Sequence, residues 1–142
     1  MRFNNNLFLL ASFLGAATAF RRTCRPATAK DGTGFYTMTK SDQWDTIAAD
    51  FCVSVEELAG MNPRDFGKPG DVFKVPCKVR KRDCARIANS AYGYYTVANG
   101  DNLQAIGNDF CSDVDTIKWL NPDIKSDSVA PGKVVKVFCN WN

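Results

Sequence analysis

Residues 95–122 read YTVANGDNLQAIGNDFCSDVDTIKWLNP, and residues 36–63 read YTMTKSDQWDTIAADFCVSVEELAGMNP. At a constant offset of 59, ten of these 28 positions are identical. They include Tyr36 and Tyr95, Asp42 and Asp101, Asp50-Phe51-Cys52 and Asp109-Phe110-Cys111, and Asn62-Pro63 and Asn121-Pro122. Three residues are then inserted in the second copy. At an offset of 62, Pro69-Gly70 matches Pro131-Gly132, Lys74-Val75 matches Lys136-Val137, and Cys77 matches Cys139. Order, identity and spacing kept together mark an internal repeat.

Each copy parses alike. Phe35 to Thr39 and Tyr94 to Ala98 are rich in aromatic and β-branched residues and predict a short strand. Ser41-Asp42 offers a helix N-cap, and Trp44, Ile47, Ala48 and Phe51 follow with a 3.6-residue period. Ser54 and Glu57 form a capping box that opens a second helix, whose apolar face is Val55, Leu58 and Met61. Asn62 ends it, because the residue before a proline is pushed out of the helical region. The Pro69-Gly70 turn leads to a second strand, Val72 to Val75. Copy two repeats this with Leu103 to Phe110, Val114 to Leu120 and Val134 to Phe138. Gly107 lies inside its first helix at a cost of about 1 kcal/mol relative to Ala. The reading is an α+β chain of two small βααβ units with antiparallel strands.

Outward from the repeat, the chain has 142 residues, six Cys and no His. Without His there is no Ser-His-Asp machinery and no His-bearing zinc site. Arg2, the apolar run Leu7 to Leu14 and Ala17-Thr18-Ala19 read as a secretory signal peptide over 1–19, the run being too short for a membrane span. All six Cys fall in the remainder, and an even count in a small secreted chain implies three disulfides. Units of about 45 residues bury too little apolar surface to be comfortable without such cross-links. Antiparallel strands bring Cys24 and Cys77 to one end, which favours Cys24–Cys77. Cys52 is left with Cys84 or Cys111, and the repeat symmetry prefers Cys52–Cys111 with Cys84–Cys139.

Region 35–77 holds 4 basic and 7 acidic residues, and 94–139 holds 4 and 6, so the formal net charge of +3 sits outside the repeats. That argues against a phosphate-binding face on the units, and no nucleic-acid or membrane partner is expected. Two dibasic pairs, Arg21-Arg22 and Lys81-Arg82, are either processing sites or solvated basic stretches.

Copy two carries Tyr95-Thr96-Val97, Gly100-Asp101-Asn102-Leu103, Ile106, Phe110 and Asn121-Pro122. Copy one carries Tyr36-Thr37-Met38, Ser41-Asp42-Gln43-Trp44, Ile47-Ala48, Phe51 and Asn62-Pro63. At these residues the chain resembles the LysM module. Two such modules with a signal peptide and extra Cys resemble a secreted fungal LysM effector. The resemblance implies an N-terminal arm over 20–34, modules over 35–77 and 94–139, a basic linker over 78–93 and a tail over 140–142. In some relatives the middle Cys pairs with one after the second strand, which here implies Cys52–Cys84 with Cys111–Cys139.

The same resemblance implies a protein that binds chitin and other N-acetylglucosamine polymers outside the cell, with no catalysis and no cofactor. Its roles would be sequestering chitin fragments from host receptors or shielding hyphal walls from chitinases. The implied site is two adjacent loops in each unit. In copy one these carry Ser41, Asp42, Gln43 and Trp44, then Met61, Asn62, Pro63, Arg64 and Phe66. In copy two they carry Gly100, Asp101, Asn102 and Leu103, then Leu120, Asn121, Pro122, Asp123 and Ile124. A neutral polymer with apolar ring faces needs apolar surface plus convergent polar groups. Trp44, Phe66, Met61, Leu120 and Ile124 are the candidate apolar contacts. Asp42, Asp101, Asn62 and Asn121 either bond the acetamide or shape the loops by capping and ending helices. Copy one departs from the family pattern at Ser41, where a loop Gly is usual, and at Trp44, where an aliphatic residue is usual. Trp119 and Trp141 have no counterpart in copy one, and each is either a sugar platform or a packing residue. A linker of about 16 residues would let both modules grip one polymer, or let ligand cross-link the protein into a homo-oligomer. The competing readings are a peptidoglycan-binding or hydrolase-associated module, and a structural interaction protein whose sugar sites have degenerated.

Overall fold

The computed structural model describes residues 21–64 and 67–141; the expected signal peptide, Phe66 and Asn142 lie outside the described residues. The first unit comprises β1 (Arg25–Pro26), β2 (Thr33–Thr37), α1 (Trp44–Asp50), α2 (Val55–Met61) and β3 (Val72–Pro76). The second comprises β4 (Ala85–Arg86), β5 (Tyr92–Thr96), α3 (Leu103–Asp109), α4 (Val114–Leu120) and β6 (Val134–Phe138). Each unit has one antiparallel three-stranded sheet, ordered β1-β2-β3 and β4-β5-β6. The registers are equivalent, with Phe35 opposite Lys74 and Tyr94 opposite Lys136.

Strand and helix faces meet in two cores. Ile47, Leu58, Phe73 and Val75 are fully buried in the first, and Leu103, Ile106, Phe110, Ile117, Val135 and Val137 in the second. These are the positions that the helical and alternating periods mark as inward. Trp141 is also fully buried, stacked on Phe110 with ring centroids 5.9 Å apart, so it is a packing residue.

Two features of the strands differ from the sequence reading. The first long strand of each unit starts two residues earlier than expected, at Thr33 and at Tyr92, and therefore includes Gly34 and Gly93. Glycine is a weak strand former, but sterics require it here. A Cβ on Gly34 would lie 2.5 Å from the Arg25 carbonyl oxygen and 2.7 Å from Cys77 Sγ; one on Gly93 would lie 2.6 Å from the Ala85 oxygen and 2.8 Å from Cys139 Sγ. The bare backbone lets a third strand and a disulfide approach the sheet together. Those third strands, β1 and β4, lie in the expected arm and linker and are too short to carry a pattern. Gly107 has a similar reason: a Cβ there would lie 3.1 Å from the Ser112 carbonyl oxygen, where α3 and α4 pass closely.

The disulfides are Cys24–Cys77, Cys52–Cys111 and Cys84–Cys139, and among the described residues no cysteine is free. The symmetric pairing holds, and the pairing Cys52–Cys84 with Cys111–Cys139 does not. Cys52 and Cys111 follow the first helix of their units in the left-handed region, at φ 59° and 58°. Val53 N–H donates to Ala48 O, and Ser112 N–H to Gly107 O, closing each helix in the manner usually left to glycine. A cysteine at this turn puts equivalent sulfurs of the two units together, as in a self-complementary contact.

Replacing Gly93 with Ala should force the β4 backbone or the Cys84–Cys139 bond aside. The expected loss is about 1–3 kcal/mol by urea unfolding, with Gly60→Ala, a helical position whose Cβ meets open space, as the control that loses no stability.

Candidate functional site

The expected loops are adjacent in both units because the strand ends tie them together. Met38 N–H donates to Asp71 O and Gly70 N–H to Met38 O; the counterparts are Val97 N–H to Lys133 O and Gly132 N–H to Val97 O. Inside this frame, Asp42 does not cap a helix. The α1 N-cap is Gln43, and the α3 N-cap is Asn102, whose side chain accepts from Ala105 N–H. Asp42 is instead a buried brace. One carboxylate oxygen accepts from Tyr36 OH at 2.6 Å and from Thr39 N–H at 2.7 Å, and the other from Arg22 Nε at 2.9 Å. Asp101 is held the same way by Tyr95 OH at 2.5 Å, Ala98 N–H at 2.9 Å and Arg82 Nη2 at 2.6 Å.

Asn62 and Asn121 are also internal. Asn62 Nδ2 donates to Leu58 O and Lys74 O, and its Oδ1 accepts from Lys74 N–H; Asn121 repeats this with Ile117 and Lys136. The side chain pairs with a strand as a neighbouring backbone would, and only an amide offers donor and acceptor together. It fixes the end of the second helix to the last strand. Leu103 is fully buried and Ile124 is 6% exposed, so both are core rather than surface contacts. Trp44 is half-buried against Phe73, with ring centroids 4.9 Å apart, and its Nε1 edge faces Gly67 of the second loop. Ser41, Gln43, Pro63, Arg64, Gly100, Asn102, Pro122 and Asp123 are exposed, and Met61 and Leu120 half-buried. The loops therefore offer solvent their backbone together with polar side chains, Arg64 and Asp123 among them, on a braced base. A separate open groove of about 790 Å3, lined by Phe51, Val79, Asn108 and Thr116 among others, runs between the units beside Cys52–Cys111; none of these loop residues lines it.

The residues that the sequence reading missed lie beneath the braces. Asp50 is completely buried, and its carboxylate accepts from Arg21 Nη1 at 3.0 Å, Arg22 N–H at 2.7 Å and Arg80 Nη1 at 2.7 Å. Asp109 accepts from Arg82 Nη1 at 3.0 Å and from the N–H groups of Lys81 and Arg82. Arg21 also donates to Asp109 O, and its guanidinium lies 3.5 Å from the Trp141 ring centroid. Four arginines and four aspartates thus form one chain of contacts from Asp42 to Asp101 across both units. Arg80 and Arg82 of the basic linker are thus held in the network, while Lys78 and Lys81 are exposed. Both dibasic pairs contribute to this network, with the Arg21, Arg22 and Arg82 side chains 7%, 12% and 18% exposed. The signal was present: Arg22-Thr23-Cys24 and Arg82-Asp83-Cys84 repeat at an offset of 60.

Burial alone would raise the Asp42 and Asp101 carboxyls, but bonds from Tyr, Arg and backbone N–H outweigh it and hold both low, Asp101 at about 2. Burial, reinforced by the bond to Asp42, pushes the Tyr36 phenol up to about 12.

The LysM domain model matches residues 95–138, which lie in the second unit. Secreted LysM effector Vd2LysM of Verticillium dahliae (strain VdLs.17 / ATCC MYA-4575 / FGSC 10137) is 34% identical over 140 residues, covering 94% of this chain and 95% of that protein. The chain belongs to the secreted LysM effectors. As a LysM effector it is an extracellular, non-catalytic protein stabilised by disulfides. Among solved structures, the Bacillus cereus spore cortex-lytic enzyme SleL is similar at 16% identity and a TM-score of 0.29. The match covers 76% of this effector but 22% of that enzyme. The ectodomain of a receptor like kinase is similar at 18% identity and a TM-score of 0.29, over 75% of this chain and 56% of that one.

Two outcomes follow for the effector's network. Asp50→Ala would leave the buried guanidinium groups of Arg21 and Arg80 without their close carboxylate partner, and a loss of about 3–5 kcal/mol is expected from urea unfolding. For pH the sign is set by carboxyls that are more acidic folded than unfolded. Their stabilisation is complete above the unfolded value of about 4 and disappears as pH falls towards about 2. The urea midpoint should drop across that window, and Asp101→Asn should flatten the drop while lowering stability at neutral pH.

Proposed function

We propose that both units are LysM modules, spanning 35–77 and 94–139, and that they bind chitin and related N-acetylglucosamine polymers. The observation that carries this is the identical construction of the two loop pairs. In each unit a Tyr–Asp–Arg brace and an Asn staple hold one carboxylate and one amide internally, and the exposed polar side chains, Gln43 and Arg64 in the first unit and Asn102 and Asp123 in the second, stand beside outward backbone and half-buried apolar surface. A surface built that way suits an uncharged ligand with acetamide groups and apolar ring faces. The family match to the second unit and the LysM effector relative point to the same ligand class. The consequence outside the cell is sequestration of chitin fragments from host receptors or shielding of the hyphal wall.

The locked units give this function a geometry. Because Cys52–Cys111 and the arginine network fix one module against the other, the two sites stand at a constant separation. A polymer that spans both gains from effective concentration, whereas shorter oligomers fill each site separately or bridge two proteins. Calorimetry with chitin oligomers of three to eight sugars, with cellohexaose and soluble peptidoglycan fragments as controls, tests the proposal. Binding to chitohexaose but not cellohexaose is expected, with light scattering reporting any ligand-driven oligomer. No binding to any chitin oligomer or to insoluble chitin would favour a structural interaction protein instead.

A further inference from the structure

Trp119 lies on α4 where Gly60 stands on α2, at the repeat offset of 59. The other described tryptophans are packed, Trp44 against Phe73 and Trp141 against Phe110 and Arg21. Trp119 is 71% exposed, and among the described residues no ring or guanidinium stacks on it. Its position is nevertheless rigid. α4 runs directly into Asn121, whose side chain fixes that helix end to β6 through Lys136, so the indole is carried at the edge of the 121–125 loop.

The surroundings select a ligand class. Between residues 115 and 133 three acidic and three basic side chains cancel, and two pairs are direct contacts: Lys118 with Asp127, and Lys133 with Asp123 at 2.5 Å. A flat apolar ring on a charge-balanced surface suits neither a phosphate nor a strongly charged peptide. It suits an uncharged partner with a flat apolar face and polar edges, which describes a pyranose ring.

We propose that Trp119 is a stacking platform for one N-acetylglucosamine ring of a chitin polymer whose neighbouring sugars lie on the second module's loops. The inference rests on the chitin reading above and adds to it. The second module has a subsite that the first lacks, because Gly60 offers no side chain there, and so the second module binds longer oligomers more tightly.

The test uses the secreted chain with its disulfides intact. Calorimetry compares wild type, Trp119→Ala and Trp119→Phe with chitotriose and chitohexaose. Trp119→Ala should weaken chitohexaose binding roughly three- to tenfold, with Trp119→Phe retaining most of the affinity. Its melting temperature should change little, since the side chain is mostly exposed. Iodide quenching of tryptophan emission should fall when chitohexaose saturates the wild type, and this protection should shrink in Trp119→Phe to what half-buried Trp44 contributes. Wild-type chitohexaose affinity in Trp119→Ala, or undiminished quenching in the saturated wild type, would overturn the platform while leaving chitin binding intact. Loss of a self-associated species in Trp119→Ala, at unchanged sugar affinity, would also overturn it and assign the indole to contact with a second copy. A wild type that binds no chitin oligomer would overturn both readings together.

Discussion

A carboxylate with no solvent around it must be matched by positive charge and by donors for its lone pairs, or it is not ionised at all. Asp50 is in that position, and its requirement organises the molecule. Arg21 and Arg22 come from the N-terminal segment, and Arg80 from the segment between the units. These stretches, which carry no periodicity of their own, are drawn inward by one anion. Asp109 does the same for the backbone and side chain of Arg82. The repeated triplet Asp-Phe-Cys therefore has three functions in sequence: the Asp collects arginines, the Phe fills a core, and the Cys links the units.

The network also explains why the loops can be both exposed and fixed. Arg22 and Arg82 each touch two aspartates, one under the interface and one under a loop. The loop aspartate in turn holds a tyrosine hydroxyl and a turn N–H, so loop shape is set from below rather than by side chains at the surface. A surface preorganised in this way loses little conformational freedom on binding, the main condition for holding a flexible oligosaccharide through backbone and apolar contacts. The two units differ outside the shared braces, notably at Trp44, which stands where the second has Leu103, and at Trp119, which stands where the first has Gly60.

Much of this was legible before any coordinates. The helices α1 to α4 and the strands β3 and β6 follow from the repeat, because period and position determine them; of the two pairings open for Cys52, the structure holds the symmetric one. The strand starts lie two residues before the aromatic and β-branched runs, because Gly34 and Gly93, weak strand formers, admit a neighbouring strand and a disulfide there. Asp42 and Asn62 looked like cap and stop residues because their short-range roles are visible in sequence and their long-range partners are not. Asp50 and the arginines were visible as identities and as charge, but pairing across 28 to 30 residues needs the fold.

The central claim is that the two units form one body through the arginine–aspartate network as well as through Cys52–Cys111. Small-angle X-ray scattering of the secreted chain and of its Cys52→Ser, Cys111→Ser double variant at neutral pH tests it most directly. The account predicts one compact particle whose scattering matches the structure in both proteins. A wild-type curve that demands an ensemble of separated units, or a double variant that expands into two tethered bodies, would contradict it.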